Sequence, residues 1–185
     1  VAEEVSDEPL ARAEIGPERV DAVVPVACIG DPAGILSGAT RAAQDESAHR
    51  IAALAAEAVA ASGLLVDGFS FQTGAGGPPL ATAPAIGALM RQRGIRGGFI
   101  SGGITGAHVA LARDGLFEEI VDVQCFDLAA VEPFRRDPFH RAMSAAEYAS
   151  PIHPHPVVDR LSAMIVGAAE VDLGFNVNVT VGADG

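Results

Sequence analysis

Short apolar runs alternate with longer helix-like segments along most of the chain. Residues 69–72, 99–101 and 120–126 have the length and composition of strands, and residues 46–61 carry apolar side chains at helical spacing. Further helices are predicted at 78–93, 105–113 and 128–135. Such alternation is typical of α/β proteins, in which helices connect the strands of a parallel sheet.

Capping residues and glycines mark where these helices should begin and end. Asp45 or Ser47 can cap the first helix, and Thr105 can cap the third. Pro78 and Pro79 suit the first turn of the second, where a missing N–H costs nothing. The first three helices are predicted to stop at the glycines that follow them: Gly63, Gly94 and Gly115.

The pattern is weaker near both ends of the sequence. Strands are predicted at 1–5 and 20–28, with a loop at 6–18 between them, and the turn cluster at 30–34 suggests a change of domain. After residue 135 a polar, proline-rich loop should reach Pro156, followed by strands at 163–169 and 176–181. Because the chain starts within a strand and stops just after one, we expect it to be a fragment.

Composition narrows the function classes. The chain has 185 residues, 49% of them hydrophobic, which suffices for one domain core or part of one. The net charge of −12 offers no basic surface for nucleic acid. All basic residues are arginines, which excludes lysine-based catalysis within this chain. Cys28 and Cys125 lack metal-ligand spacing, so we expect a reduced, cytoplasmic protein with no metal site. We also expect no membrane span, because no apolar run approaches the required length.

Two glycine clusters each join a predicted strand to a predicted helix, at residues 68–79 and 97–107. Glycine-rich turns let a ligand approach the backbone, and the first N–H groups of a helix attract anions. Two such turns on neighbouring β-α units predict one crevice for an anionic ligand at the ends of parallel strands. Spacing alone leaves open that they are simply tight turns.

Longer motifs carry a family resemblance from about Val20 onwards. In order, the chain contains GFSFQTGAGG, GGITGAHVALARDGLFEEIVDVQCFD, SAAEYASP, VDRLSAMIVGAAEVDLGFNVNV and GADG. These motifs resemble the middle of the citrate lyase alpha subunit family, the citrate CoA-transferases. The resemblance implies a NagB/RpiA/CoA-transferase-like α/β fold, a mostly parallel sheet with flanking helices, incomplete at both ends. Residues 1–34 would end a first domain, and 35–185 would form the N-terminal part of a second.

The resemblance also implies a reaction and its partners. The family's subunit converts acetyl-carrier and citrate into citryl-carrier and acetate, and a beta subunit then cleaves the citryl thioester. The carrier is the gamma subunit, whose phosphoribosyl-dephospho-CoA arm can be replaced by free CoA. No tightly bound cofactor is implied, and the expected setting is a homo-oligomer within a cytoplasmic complex. Two alternatives are also enzymes: a citramalate lyase alpha subunit, or some other acetyl-CoA-dependent CoA-transferase. Two are not: a metabolite-binding module without catalysis, or a catalytically dead remnant.

Site residues follow from chemistry and from the resemblance together. Acyl exchange forms oxyanions, which the N–H groups of Gly74, Gly76 and Gly77 could stabilise, with Gly102 and Gly103 as a second set. The strand before the first cluster could line the crevice, and Arg160 is a candidate carboxylate ligand. The predicted catalytic residues are Gly76, Gly77 and Glu170; the predicted cofactor contacts are Gln72, Thr73, Gly74, Gly102, Gly103, Asn176 and Asn178; Ser70 and Arg160 are predicted to bind substrate.

Structural roles compete with each of these assignments. Glu170 and Asp172 end an apolar run and could instead bind a nearby turn. Asn176 and Asn178 alternate with apolar residues on one face of the predicted strand, where their amides could hold the carrier arm or satisfy loop backbone. Surface ion pairing is the alternative for Arg160. Cys125 is expected to be a small buried side chain.

One departure bears on mechanism. Related CoA-transferases that form a glutamyl-CoA thioester carry their glutamate where this chain has Gly103, and no acidic residue lies between Asp67 and Asp114. This absence fits what the citrate lyase group implies, an exchange between bound substrates through a mixed anhydride. The sequence therefore predicts that no covalent enzyme–CoA intermediate forms.

Overall fold

A parallel five-stranded sheet organises the part of the chain that the structure, a computed structural model, describes: residues 15–30, 45–74 and 76–179. The strand order is β4-β3-β2-β1-β5, and every neighbouring pair is parallel. The strands are β1 Phe71–Thr73, β2 Gly97–Ile104, β3 Phe117–Cys125, β4 His140–Ala142 and β5 Ala163–Ile165. The predicted parallel α/β class is confirmed.

Helices connect these strands and flank the sheet. They are α1 Glu46–Ala61, α2 Gly77–Arg93, α3 Gly106–Arg113, α4 Leu128–Phe134 and α5 Ala145–Ala149. Two 3₁₀ turns, Pro17–Arg19 and Val157–Arg160, and a small antiparallel hairpin of β6 Glu170–Val171 and β7 Val177–Asn178 complete the described elements. No helix in the described residues is long and apolar enough to cross a membrane.

The predicted helix ends are largely confirmed. The Asp45 carboxylate accepts the Ala48 N–H at 2.9 Å and so caps α1, and the Ser47 hydroxyl bonded to that carboxylate lowers the pKa of Asp45. Thr105 is the N-cap of α3. Helix α2 ends at Gly94, whose φ of 66° is the left-handed conformation that glycine adopts at least cost.

The core lies on both faces of the sheet, as the apolar strands predict. Helices α1 to α4 cover one face, where Phe71 of β1, Ile100 of β2 and Ile120 of β3 are completely buried. The opposite face holds a smaller cluster beneath α5 and the second 3₁₀ turn: Phe99, Val121, Met143 and Val157. Alternate residues of one strand therefore pack on opposite faces.

Several element predictions outside this core are wrong. Residues 20–28 form no strand and are exposed, and the strand predicted at 163–169 ends at Ile165. Of the strand predicted at 176–181, the described residues 176–179 contain only the two-residue β7, in an exposed hairpin. The predicted loop up to Pro156 contains β4 and α5. An apolar run becomes a strand only where another strand supplies backbone partners, which local composition does not reveal. The strand predicted at 1–5 and the boundary at 34/35 lie outside the described residues.

Candidate functional site

The first glycine cluster lies where the connections of the sheet diverge. From β1 the chain adds β2, β3 and β4 on one side, whereas β5 pairs with the other side of β1. Ligands of open α/β sheets bind outside the carboxyl ends of strands at such a switch point. Gly74 directly follows β1 there, and its N–H donates to the carbonyl of Ile165 at the end of β5, at 2.7 Å.

Only part of this glycine cluster can donate to a ligand. The Gly74 N–H is already paired with Ile165, and Pro78 and Pro79 in the first turn of α2 have no N–H. Helix geometry leaves the first amides of a helix without intrahelical acceptors, so Gly76 and Gly77 are the donors of this turn. Gly76 is exposed and Gly77 half-buried. The predicted set of three donors is thereby reduced to two.

The second glycine cluster lies within β2 and is tightly packed. Gly102 has a φ of 91° at an irregularity in the pairing with β3. A Cβ on Gly102 would lie 2.6 Å from the Gln72 side chain, and one on Gly103 would lie 1.8 Å from the Phe126 ring. Both glycines are therefore required by close approach of neighbouring side chains. Their predicted role as a second donor set has no support from their position.

The helix that follows this second cluster already has an anion at its N-terminus. The Gly106 N–H at the start of α3 donates to both carboxylate oxygens of Asp127, at 3.0 and 3.1 Å. The same carboxylate accepts the Ala130 N–H and caps α4. The Asp127 carboxylate thus occupies the anion position that the glycine pattern predicted for a ligand. It also links α3 to α4, because it accepts hydrogen bonds from both helices.

Gln72 belongs to a contact that the sequence did not reveal. Its side chain lies on the sheet face opposite Thr73, where the Tyr148 hydroxyl of α5 donates to its Oε1 at 2.6 Å. The Gln72 amide also borders Gly102. This contact orients the amide of a half-buried strand residue two positions before Gly74. Because Tyr148 is 76 residues away, no local motif could have paired them.

Thr73 is buried in a different network. Its Oγ1 lies 3.0 Å from Nε2 of His108, and Nδ1 of the same ring accepts the Thr105 N–H at 3.1 Å. Since Nδ1 accepts, the neutral ring carries its proton on Nε2 and donates to Thr73. Burial lowers the pKa of His108 to about 4. Thr73 is thus held by the protein and, at 2% exposure, does not face the crevice.

Ser70 and Arg160 lie near the amino ends of β1 and β5, whereas the first glycine cluster follows the carboxyl end of β1. The Ser70 hydroxyl donates to the Arg160 carbonyl at 2.8 Å, and both residues precede their strands. The Arg160 guanidinium lies over the Phe99 ring, 5.2 Å from its centre. Four residues of extended chain, roughly 13 Å, separate Ser70 from Gly74. The two predicted substrate ligands are close to each other but not to the glycine donors.

The remaining predicted residues form the exposed hairpin. Asn178 donates to Glu170 at 3.3 Å across its two strands. Asp172 accepts from the Asn176 amide and from the N–H of Gly174, and these bonds lower the pKa of its carboxyl. Asp172 and Asn176 therefore satisfy the turn, one of the roles expected for them, whereas Glu170 and Asn178 pair across its strands. The main parallel sheet includes none of these residues.

A largely buried cluster of Asp122, Cys125 and His140 was not predicted from the sequence. The Asp122 Oδ2 accepts from His140 Nε2 at 2.8 Å and from the Cys125 thiol at 2.9 Å. Burial, followed by the adjacent Asp122 carboxylate, raises the pKa of Cys125 to about 12. The three residues meet because β3 and β4 pair in register, with Ile120 opposite His140. Sequence spacing of 3 and 15 residues gives no signal of this contact.

Comparison with known proteins agrees with the fold and with the motifs. A family model described as citrate lyase, alpha subunit (CitF) matches residues 1–185. The chain belongs to the citrate lyase alpha subunit family. The citrate lyase alpha chains of Haemophilus influenzae and Escherichia coli are 41% and 40% identical to it over 185 residues.

The chain corresponds to only part of these citrate lyase alpha relatives. It spans 37% of the Haemophilus influenzae protein and 36% of the Escherichia coli protein. A crystal structure described as the putative alpha subunit of citrate lyase in complex with citrate, from Streptococcus mutans, superposes with a TM-score of 0.78 at 41% identity. That match covers 86% of this chain and 31% of the other.

The buried His108 should make the stability of the folded chain depend on pH. Its folded pKa of about 4 lies below the ordinary histidine pKa of 6.5, so the unfolded state binds more protons between these values. The stabilisation from the neutral ring is complete above pH 6.5 and is lost as the pH falls towards 4. Chemical denaturation should give a free energy of unfolding about 2 kcal/mol lower at pH 5 than at pH 7 from this residue.

His108→Gln is the matched variant for this test, because it keeps a polar side chain that does not titrate in that range. The difference in unfolding free energy between wild type and variant should shrink from pH 7 to pH 5. An unchanged difference would mean that His108 has the same pKa in the folded protein as in the unfolded chain.

Proposed function

We propose that the protein to which this chain belongs exchanges acetate for citrate on a thioester, converting acetyl-carrier or acetyl-CoA and citrate into citryl thioester and acetate. Family membership supports this reaction class. The similar structure from Streptococcus mutans is described as a complex with citrate, which favours citrate over citramalate as the acid.

The observation that carries the proposal is the position of the Gly76 and Gly77 amides. They follow β1 at the switch point of the sheet, at the N-terminus of α2. A helix N-terminus with free N–H groups favours negative charge, and acyl exchange generates an oxyanion at the thioester carbonyl. Gly76 and Gly77 are therefore assigned as oxyanion donors. The carbonyl-bearing end of the carrier arm would lie against this turn.

The reaction then needs no nucleophile from the enzyme. A citrate carboxylate attacks the acetyl carbonyl, the Gly76 and Gly77 amides stabilise the resulting oxyanion, and the thiolate leaves to give an acetyl-citryl anhydride. The thiolate next attacks the citryl carbonyl of this anhydride, and acetate leaves. Binding both substrates beside one pair of donors lowers the barrier through proximity.

Direct exchange is supported by the surroundings of Gly103. No acidic residue lies between Asp67 and Asp114, and the Phe126 ring fills the space into which a side chain at position 103 would extend. Position 103 therefore holds no glutamate nucleophile, and the Phe126 ring leaves no space for one. Glu170 has no part in this scheme, because it pairs with Asn178 in the exposed hairpin.

The proposal includes the partners expected of such a subunit. The acyl carrier subunit supplies the phosphoribosyl-dephospho-CoA arm, and a citryl lyase subunit consumes the product. A homo-oligomer within that complex, in the cytoplasm, is the proposed setting. Free CoA should replace the carrier arm, because the proposed donors bind the thioester carbonyl rather than the nucleotide end.

A direct assay tests this function with the full-length protein. Incubation with acetyl-CoA and citrate should produce citryl-CoA, measured by mass spectrometry, and citramalate should produce much less of its thioester. Hydroxylamine or borohydride treatment of the enzyme with acetyl-CoA should label no glutamate. Absence of citryl-CoA would contradict the function, whereas a labelled glutamate alongside turnover would contradict only direct exchange.

A further inference from the structure

Three different metal-binding side chains meet between the carboxyl end of β3 and β4. Asp122, Cys125 and His140 each offer one ligand atom, and these atoms lie within 4.8 Å of one another. The side chains of His140 and Asp122 are 0% and 2% exposed. Cys125 is partly exposed, so the cluster can be reached from the surface.

Hydrogen bonding within the protein does not satisfy this cluster. Asp122 Oδ1 and His140 Nδ1 are buried and have no hydrogen-bond partner among the described residues. Nearly all buried polar atoms of folded proteins have a partner, so two unpaired atoms in one cluster require an explanation. The donors to Asp122 Oδ2, His140 Nε2 and Cys125 Sγ, are themselves groups that bind metals once they lose a proton.

We propose that Asp122, Cys125 and His140 bind one divalent transition-metal ion of the zinc type. Thiolate, imidazole and carboxylate are the three ligand classes of protein zinc sites, whereas magnesium and calcium prefer oxygen alone. Binding replaces the thiol proton, which passes to solvent, by a bond from Cys125 Sγ to the metal. The neutral His140 ring shifts its proton from Nε2 to the unpartnered Nδ1, so that Nε2 can bind the metal. The sequence predicted no metal site, because the three ligands lie on two different strands and form no motif along the chain.

The geometry needs only a small adjustment to hold the ion. Ligand atoms in a tetrahedral zinc site lie roughly 3.3 to 3.8 Å apart, from bond lengths of about 2.0 to 2.3 Å. The two measured separations from Asp122 Oδ2, 2.8 Å to His140 Nε2 and 2.9 Å to Cys125 Sγ, are shorter. Widening these two separations by about half an ångström accommodates the metal, and the Cys125 and His140 ligand atoms lie within 4.8 Å of each other. Three protein ligands leave a fourth position for water or a carboxylate.

The supporting elements are rigid enough for such a site. Asp122 and Cys125 belong to β3, and His140 begins β4, which pairs with β3 in register from Ile120 opposite His140. The Phe134 ring contacts the imidazole edge-on, with ring centres 5.2 Å apart. One strand, β2, lies between β3 and β1, so two strand spacings, roughly 10 Å, separate the cluster from the strand that leads to the glycine donors. The bound ion would join β3 to β4 and stabilise that side of the sheet.

Cobalt(II) provides the test on the full-length protein, first treated with EDTA and dialysed. One equivalent of Co²⁺ should produce the near-ultraviolet thiolate-to-cobalt charge-transfer band and raise the melting temperature. Cys125→Ser should lose the band and bind Zn²⁺ at least about tenfold more weakly. Cys28→Ser is the matched control, because it changes the exposed cysteine outside the cluster and should retain both.

The proposal fails if the wild-type protein shows no charge-transfer band, whatever the variants do. It fails equally if the band persists in Cys125→Ser or disappears in Cys28→Ser. Asp122→Asn gives a second line of evidence if Cys125→Ser folds poorly by circular dichroism: it should keep a cobalt–thiolate band while binding Zn²⁺ more weakly than wild type. Unchanged zinc affinity in Asp122→Asn would remove the carboxylate from the ligand set and overturn the proposed site.

Discussion

Gly77→Pro should lower kcat/KM for acetyl-CoA-dependent citryl-CoA formation by about 100-fold or more, which is the effect of removing one oxyanion donor. Proline removes the N–H of Gly77 but suits the first position of a helix. The preceding Gly76, with φ of −75° and ψ of 160°, already has the extended conformation that a following proline requires. The fold of α2 should therefore remain, and only the donor should be lost.

Gly77→Ala is the control that isolates the N–H group. Both variants add a Cβ immediately before Pro78 and so share any strain that this addition causes. Alanine keeps the donor, and its kcat/KM should remain within a few-fold of wild type. Equal losses in the two variants would show that the amide has no role in the reaction, and circular dichroism would confirm that both proteins are folded.

Gly103→Glu should reduce the free energy of unfolding by about 3 kcal/mol or more, because it overpacks a buried strand and buries a carboxylate. The Cβ alone would lie 1.8 Å from the Phe126 ring, so ring or strand has to move. Denaturation in urea measures the loss. Gly167→Glu is the control, because Gly167 is exposed and a Cβ there would lie 3.9 Å from its nearest neighbour, Pro79. This variant should change the free energy of unfolding by less than about 0.5 kcal/mol.

Removing the Phe126 ring tests the physical cause of that loss. If the ring obstructs position 103, then Gly103→Glu combined with Phe126→Ala should be more stable than the sum of the two single effects predicts. Additive effects would instead place the strain elsewhere in β2. A Gly103→Glu protein as stable as wild type would show that the strand has room for a side chain there, and would weaken the structural argument for direct exchange.

Most of the regular structure in the centre of the chain could be predicted because its signals are local. Asp45, Pro78 and Gly94 act within one turn of the helices that they cap or end, so sequence shows their effect. The same holds for the strands whose residues are buried on both faces, such as Ile100 and Phe99 of β2. The runs at 20–28 and 163–169 look similar locally, yet they form no strand or a much shorter one, because strands need partners.

The candidate site was only half accessible to the same reasoning. Glycine spacing and the family motifs led to Gly76 and Gly77, and the structure places them at the switch point. Spacing also promoted Gly102 and Gly103 as donors, although Gln72 and Phe126 pack against them. It could not reveal that Asp127 occupies the N-terminus of α3, because a carboxylate 21 residues from Gly106 approaches it only through the fold.

By itself, then, the sequence determined the α/β class, the approximate boundaries of α1 to α4, the first glycine turn and the absence of an acidic nucleophile in residues 68–113. The tertiary structure alone decided the strand order, the separation of Ser70 and Arg160 from the glycines, and the meeting of Asp122, Cys125 and His140. The difference has one physical origin. Caps and turns are fixed by interactions within a few residues. Strand order and register depend instead on pairing between segments that are distant in the sequence.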